Sequence, residues 1–193
     1  MWRTTGPLTV SNASVRGERL GSLIGAVGGL VFIVVNAGGV GSPTGLVIRV
    51  VGVVAFLAVV WLSVFQPSVR TGPAGPAPGP RAMRVYWICV AAEVVGFFVG
   101  AQVINRVFDR PDLVVVWVVL VVGAHFVPFA AAFNAPVFLV LGWTMIGLAV
   151  VGGVLAVVVD PVLAPWTAIL AGVALLGFAA TNGLRRRVAI SDR

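Results

Sequence analysis

Residues 113–133 read LVVVWVVLVVGAHFVPFAAAF, and this stretch decides the fold class. It contains no Asp, Glu, Lys or Arg, and His125 is its one ionisable residue. A helix of about twenty residues crosses a hydrocarbon core of about 30 Å. In water so many valines would favour strands, but a lone strand in lipid leaves its backbone groups unpaired. The stretch therefore predicts a membrane-spanning helix.

Five more apolar runs of similar length lie on either side of this one. The six predicted spans are residues 20–40, 44–65, 85–105, 113–133, 137–159 and 163–184. Strands of a membrane barrel would be about ten residues long with alternating polarity, a pattern that is absent here. Apart from residues 66–84, the breaks between spans are short. The sequence predicts an all-α bundle of six transmembrane helices in a single domain covering residues 1–193.

Composition supports a membrane protein and argues against a nucleic-acid-binding protein. Hydrophobic residues make up 60% of the chain and charged residues 10%, whereas soluble domains carry about 25% charged residues. The net charge is +7, but the arginines lie in short segments between apolar runs and form no basic face. We predict a lipid bilayer as the principal partner and no nucleic acid. All thirteen basic residues are Arg, which weakly indicates a bacterial source.

The connections between the spans predict the orientation of the chain. Residues 66–84 hold five prolines and three glycines, so we expect a flexible cytoplasmic loop without a fold of its own. Cationic residues collect on the cytoplasmic side of membrane proteins. Ten arginines share one side of a six-span chain: Arg3, Arg16, Arg19, Arg70, Arg81, Arg84, Arg185, Arg186, Arg187 and Arg193. Only Arg106 and Arg110 fall on the other. We therefore predict a protein of the bacterial cytoplasmic (inner) membrane with both termini in the cytoplasm.

Glycines spaced four apart predict close helix packing. In lipid, helices associate through small residues that let their backbones approach. Gly21, Gly25 and Gly29 form such a ridge on the first span, and Gly96 and Gly100 form another on the third. These ridges suit contacts within the bundle and equally suit a homo-oligomer. A faint similarity around a glycine in each even-numbered span is interpreted as chance.

Three polar residues are predicted to lie at one level of the membrane. Glu93 is about eight residues into the third span, and His125 is about eight residues from the cytoplasmic end of the fourth. At 1.5 Å per residue both lie roughly 12 Å from that side. Thr144 in the fifth span lies at the same level. Since the third and fourth spans are joined by a short loop, Glu93 and His125 are expected to be within reach of each other.

A second polar layer is predicted near the opposite membrane face. Arg49 lies about five residues inside the second span, and Asn36 and Gln102 are at matching depth on the first and third. Arg49 is expected either to pair with these residues or to extend its side chain to the membrane surface.

The pairing of Glu93 with His125 admits two interpretations. Ionisable groups inside a membrane are costly and usually face the protein interior, where a hydrogen-bonded pair could lock two helices together. Alternatively, the pair is a ligand or proton site, because His changes charge near neutral pH and burial disfavours a charged carboxylate. With Cys89 as the single cysteine, well-placed ligands are too few for metal. We predict no metal, no cofactor and no catalytic residue.

The segment Gly123-Ala124-His125-Phe126-Val127-Pro128-Phe129-Ala130 adds weight to the fourth span. Pro128 removes the backbone hydrogen bond to the Ala124 carbonyl and is expected to bend the helix beside His125. This His-Phe-x-Pro segment resembles one found in small uncharacterised bacterial multi-pass membrane proteins. The resemblance covers about ten residues, implies a membrane fold and brings no activity with it.

These observations leave three hypotheses for function. The first is a membrane protein that binds or transports a small solute, whose identity the sequence leaves open, with proton linkage through Glu93 and His125. The alternative is a non-catalytic scaffold or accessory subunit that docks a partner through its glycine ridges. The third, an intramembrane enzyme using His125 as acid or base, lacks any recognisable nucleophile or phosphate-binding motif. Transport by only six spans would favour a homo-oligomer.

Overall fold

The structure, a computed structural model, describes residues 12–64 and 79–191, with side chains at 21–62 and 79–181. All regular structure in these ranges is helical. The six long helices are α1 (Asn12–Asn36), α2 (Thr44–Val64), α3 (Pro80–Arg106), α4 (Val114–Ala132), α5 (Pro136–Val158) and α6 (Leu163–Ser191). Short 3₁₀ segments, Ala37–Val40 and Pro111–Leu113, follow α1 and precede α4. Within the described ranges, six helices are long and apolar enough to cross a membrane, which confirms the predicted number.

Helix ends agree with the predicted spans within a few residues, with exceptions at three places. α1 begins at Asn12 and α6 continues to Ser191, so both extend into segments expected to be polar tails. The predicted loop at residues 66–84 is wrong in its last residues, because α3 already begins at Pro80. Proline suits the first helical position, where its missing N–H would have no partner anyway. The rest of that loop, residues 65–78, lies outside the described residues.

The helices form two groups that share α6. α1 and α2 pack on one side of α6, and α4 and α5 pack on the other. α3 lies at the edge of the bundle, against α4. Burial follows this order: half of the α6 span is buried, whereas on α3 only Ala82 and Gly100 are buried among the described side chains. Met145 and Val119, both fully buried, mark the core between α4 and α5. α3 therefore has one principal neighbour within the described part of the chain.

Consecutive helices run antiparallel, so the turns after α1, α3 and α5 lie together at one end. We call this the Asp160 end, after the residue in the turn between α5 and α6. The carboxylate of Asp160 accepts a 2.8 Å hydrogen bond from the backbone N–H of Val162, as an acidic residue before a helix is expected to do. Glu93 and His125 lie in the opposite half of the bundle.

Two glycine pairs bring helix backbones into direct contact. A Cβ atom on Gly29 of α1 would lie 2.7 Å from the carbonyl oxygen of Gly172 of α6. A Cβ atom on Gly172 would lie 2.6 Å from the carbonyl oxygen of Gly29. Likewise, a Cβ atom on Gly123 of α4 would lie 3.1 Å from the carbonyl oxygen of Gly142 of α5, and a Cβ atom on Gly142 would lie 2.9 Å from that of Gly123. Any side chain at these positions would push the helices apart. Close backbone approach of this kind supplies van der Waals contact where apolar burial gives little drive.

The predicted glycine ridges are only partly used in this way. Gly29 is tightly packed, but a Cβ on Gly25 would only reach Ala179 at 4.0 Å, and nothing lies within 4 Å of one on Gly21. On α3, a Cβ on Gly96 would make ordinary contact with Val121 at 3.4 Å. A Cβ on Gly100 would instead collide with the indole ring of Trp117.

Candidate functional site

The site lies between α3 and α4, where Glu93 and His125 face each other. The carboxylate oxygen Oε1 of Glu93 is 3.3 Å from the imidazole nitrogen Nδ1 of His125. The side chains are 18% and 14% exposed, respectively. The structure thus brings together the two ionisable residues that counting along the helices places at one level. The contact is an ion pair only when His125 carries a proton.

The imidazole nitrogen Nδ1 of His125 is buried and makes no hydrogen bond in the described part of the chain. It is close to Glu93, but the two groups are not aligned as a hydrogen bond requires. Most buried polar atoms in proteins do have a hydrogen-bond partner, so an exception calls for a physical explanation. A carboxylate and an imidazole at this separation can hold one proton between them after a small rotation of either side chain.

Aromatic rings surround the imidazole on the α4 side. The ring centre of His125 lies 4.1 Å from that of Phe126 and 5.0 Å from that of Phe129. Tyr86 of α3 stacks on Phe129 at 5.7 Å, and Phe138 of α5 stacks on Phe126 at 5.8 Å. These rings limit access of water to the pair and lower the local dielectric, which strengthens any interaction between the carboxylate and a protonated imidazole.

Trp117 fixes the separation of α3 and α4 one to two turns away from the pair. Its indole N–H donates a 2.9 Å hydrogen bond to the carbonyl oxygen of Gly96. The same ring fills the space that a side chain at Gly100 would occupy. Because Glu93 is three residues before Gly96 on the same helix face, this contact sets the position from which Glu93 meets His125.

Residues that meet across α3 and α4 follow regular spacings that the sequence analysis did not use. On α4, contact residues recur every four positions: Trp117, Val121, His125 and Phe129. On α3 the contact residues are Tyr86, Glu93, Gly96 and Gly100, and Cys89 completes an alternating spacing of three and four. Such spacing defines one helix face. Trp117 and Tyr86 could have been found by extending this pattern from His125 and Glu93.

Cys89 lies one turn before Glu93 and is half-buried. It adds a thiol to the same helix face as the carboxylate. In the described residues, however, no group of three or more His, Cys, Asp or Glu side chains could hold a metal ion.

Thr144 is not joined to the pair by any hydrogen bond in the described residues. Its side chain is exposed on α5, and its hydroxyl donates a 2.8 Å hydrogen bond to the Val140 carbonyl of its own helix. It matches Glu93 and His125 in depth but points to the outside of the bundle. The level of a residue along a helix does not determine the face on which it lies.

The three residues of the second polar layer share no hydrogen bond with one another in the described part of the chain. The guanidinium Nε of Arg49 donates a 3.2 Å hydrogen bond to the Val34 carbonyl near the end of α1. The side-chain amide of Asn36 donates to the Phe32 carbonyl of its own helix at 2.8 Å. Gln102 is exposed on α3, which packs principally on α4. The three side chains therefore do not form a cluster. The Arg49 guanidinium instead binds a backbone carbonyl near the C-terminus of α1, where the helix dipole favours a cation.

A second charged contact lies at the Asp160 end, outside the predicted site. Arg110 makes two hydrogen bonds to the Asp112 carboxylate, at 3.0 and 2.8 Å. One of its nitrogens, Nη2, also lies 3.3 Å from the carbonyl oxygen of Ala156 on α5. The hydrogen bonds to Asp112 raise the pKa of Arg110 above its usual value. This arginine ties the turn between α3 and α4 to the end of α5.

Comparisons of the chain with protein-family models, with characterised proteins and with solved structures found no match.

Proposed function

We propose that this is a multi-pass protein of the bacterial cytoplasmic membrane, with both termini in the cytoplasm, that binds or transports a small solute. In this proposal the Glu93–His125 pair takes up and releases a proton during the cycle. One observation carries the proposal. The buried imidazole nitrogen lies 3.3 Å from a carboxylate without a hydrogen bond.

This geometry favours a titrating pair over a purely structural lock. A side-chain contact that only holds two helices together gains stability from an aligned hydrogen bond. A buried polar atom left without a hydrogen bond lowers the stability of the fold by about 1–3 kcal/mol. A pair that serves stability alone would therefore be aligned. A pair that changes its protonation during function has to fit more than one hydrogen-bonding arrangement, and one of these can leave a nitrogen unsatisfied.

Net charge provides a reason for coupling between the proton and a solute. With one proton shared, Glu93 and His125 are neutral overall, whether the proton is on the carboxylate or on the imidazole. Adding a proton gives the pair a positive charge, and removing one gives it a negative charge. Either state is unfavourable in a low-dielectric interior. A bound ion or polar solute of opposite charge would stabilise it, so proton exchange and solute binding would favour each other.

A scaffold or accessory subunit is the second candidate, and the position of α3 favours it. α3 packs principally against α4, and the face opposite to that contact is exposed, including Phe98 and the polar Gln102. A partner helix could pack along this face and bond the Gln102 amide. In that case the Glu93–His125 contact only joins α3 to α4.

Titration of His125 would separate the two candidates. His125 is the sole histidine of the chain, so nuclear magnetic resonance of protein labelled with ¹⁵N-histidine in lipid nanodiscs reports its protonation without assignment. We expect the ¹⁵N chemical shifts of the imidazole to change with pH, and this dependence to differ once Glu93→Gln removes the carboxylate charge. Cys89→Ala, one turn away on the same face, is the control. A histidine that stays neutral throughout, with or without Glu93, would contradict proton exchange.

Vesicle measurements would then test transport. We expect purified protein, reconstituted in vesicles with a trapped pH-sensitive dye, to move protons when a gradient of sodium, potassium or chloride is imposed. Glu93→Gln and His125→Ala should abolish this movement while the protein remains folded. A scaffold would instead show no proton movement, and the same substitutions would lower its melting temperature. A strictly monomeric protein in native-like lipid would also count against transport.

A further inference from the structure

An open apolar groove of about 410 Å³ runs along α4 between α3 and α5. It occupies the half of the bundle nearest the Asp160 end, away from Glu93 and His125. Its floor and walls include Ile104, Trp117, Leu120, Val150, Val154 and Val158. The groove exists because α3 packs on α4 and makes no comparable contact with α5.

The other half of the same cleft is filled by aromatic side chains of the protein itself. There, Tyr86 stacks on Phe129, and Phe126 stacks on Phe138. Near the Asp160 end no ring of this kind spans from α3 to α5 among the described residues. Surfaces that lack contact partners lose dispersion energy, so an apolar occupant from outside the chain would stabilise the open half.

The length of the groove matches one leaflet of a bilayer. On α5 its lining extends from Ala149 to Val158, nine residues apart, which corresponds to about 14 Å along a helix. Half of a hydrocarbon core is about 15 Å. An acyl chain that enters beside Val158 would therefore reach its full leaflet depth near Ala149.

The mouth of the groove carries a charged pair suited to a zwitterionic headgroup. Arg110 hydrogen-bonds to the carbonyl of Ala156, which lies between the lining residues Gly153 and Val157. Its Nη1 has no hydrogen-bond partner in the described chain, and its side chain is 32% exposed. The Asp112 carboxylate beside it is 23% exposed, and Asp160 lies two residues beyond Val158.

We propose that this groove binds one acyl chain of a phosphatidylethanolamine molecule, whose phosphate contacts Arg110 and whose ammonium faces Asp112. A guanidinium is well suited to bind phosphate. The adjacent Asp112 carboxylate balances the charge of Arg110, and Asp160 adds a further negative charge, so the mouth favours a headgroup that carries an ammonium as well as a phosphate over a purely anionic one. The site is separate from the Glu93–His125 pair, and only membrane insertion is common to both proposals.

Native mass spectrometry of the purified full-length chain, titrated with phosphatidylethanolamine in detergent, tests the proposal. We expect the wild type to bind one molecule per chain. Val154→Phe should fill the groove and weaken binding at least about tenfold, because the acyl chain then loses its van der Waals contacts with the lining. Val151→Phe is the matched control, since Val151 is 59% exposed against 57% for Val154 but does not line the groove. Val150→Phe replaces Val154→Phe if the latter fails to fold.

The headgroup contact has its own variant and control. Arg110→Gln should weaken phosphatidylethanolamine binding several-fold and leave binding of diacylglycerol, which has no phosphate, unchanged. Arg106→Gln, at an exposed arginine of the same turn, should change neither. The proposal is overturned if the wild type retains no lipid, if both Phe variants on α5 act alike, or if phosphatidylglycerol binds more tightly than phosphatidylethanolamine. A dimer that Val154→Phe dissociates would assign the groove to a second copy instead.

Discussion

At the scale of single residues, the site depends on the contact between Trp117 and two glycines of α3. The indole donates to the Gly96 carbonyl, and its ring lies where a side chain at Gly100 would be. Glu93 itself makes no hydrogen bond that would hold it in place within the described residues. Its position opposite His125 therefore follows from the closeness of α3 to α4, which the small residues permit.

Replacing Gly100 with Ala should destabilise the protein and disturb the pair. The added methyl group would collide with Trp117, and overpacking of this kind costs about 1–3 kcal/mol. Unfolding in a mixed-detergent titration measures the loss, and the ¹⁵N signal of His125 should shift as the helices separate. Gly147→Ala on α5, where nothing lies within 4 Å, is the control and should change neither. An unaltered stability and signal for Gly100→Ala would contradict the packing of Trp117 on this glycine.

At the scale of helices, glycines determine which pairs of helices pack most closely. Gly52, Gly123 and Gly172, one in each even-numbered helix, all lie at close contacts. Gly52 faces Ile33 of α1, Gly123 faces Gly142, and Gly172 faces Gly29. The faint similarity around these three glycines, interpreted as chance, thus coincides with a shared packing role. Close packing alone selects glycine at such positions.

Gly172→Ala should destabilise the contact between α1 and α6. Its methyl group would lie 2.6 Å from the Gly29 carbonyl oxygen and 2.8 Å from Ile33. A backbone carbonyl cannot rotate away as a side chain can. We therefore expect the free energy of unfolding to fall by about 2–3 kcal/mol, in the upper part of the range for overpacked sites. Gly177→Ala on the same helix has open space and should be neutral in the same unfolding titration. Equal effects of the two substitutions would show that this crossing does not stabilise the bundle.

At the scale of the whole molecule, the antiparallel order of the helices assembles the turns after α1, α3 and α5 at one end. This arrangement agrees with the six-span topology drawn from the arginine distribution, though the side of the membrane on which each end lies stays a prediction. The lipid proposal depends on this arrangement as well, because it places the headgroup at the Asp160 end.

Labelling of single cysteines would test the orientation. In a Cys89→Ala background, Asp109→Cys and Asp160→Cys should react with a membrane-impermeant maleimide added to intact cells, since their turns belong to the arginine-poor side. Gly79→Cys, before α3, should react only after the cells are permeabilised. Equal reactivity of Gly79→Cys and Asp160→Cys in intact cells would contradict the predicted topology.

The sequence alone determined how many helices form, nearly where they end, and how deep each polar residue lies along its helix. These properties depend on hydrophobicity and on the fixed rise per residue, so Glu93 and His125 could be assigned to one level by counting. Depth does not specify rotation about a helix axis or the choice of neighbours, which depend on close packing between helices. Only the tertiary structure therefore directed His125 toward Glu93 and Thr144 to the outside. It also separated Arg49 from Gln102, and it left α3 at the edge with an open groove beside it.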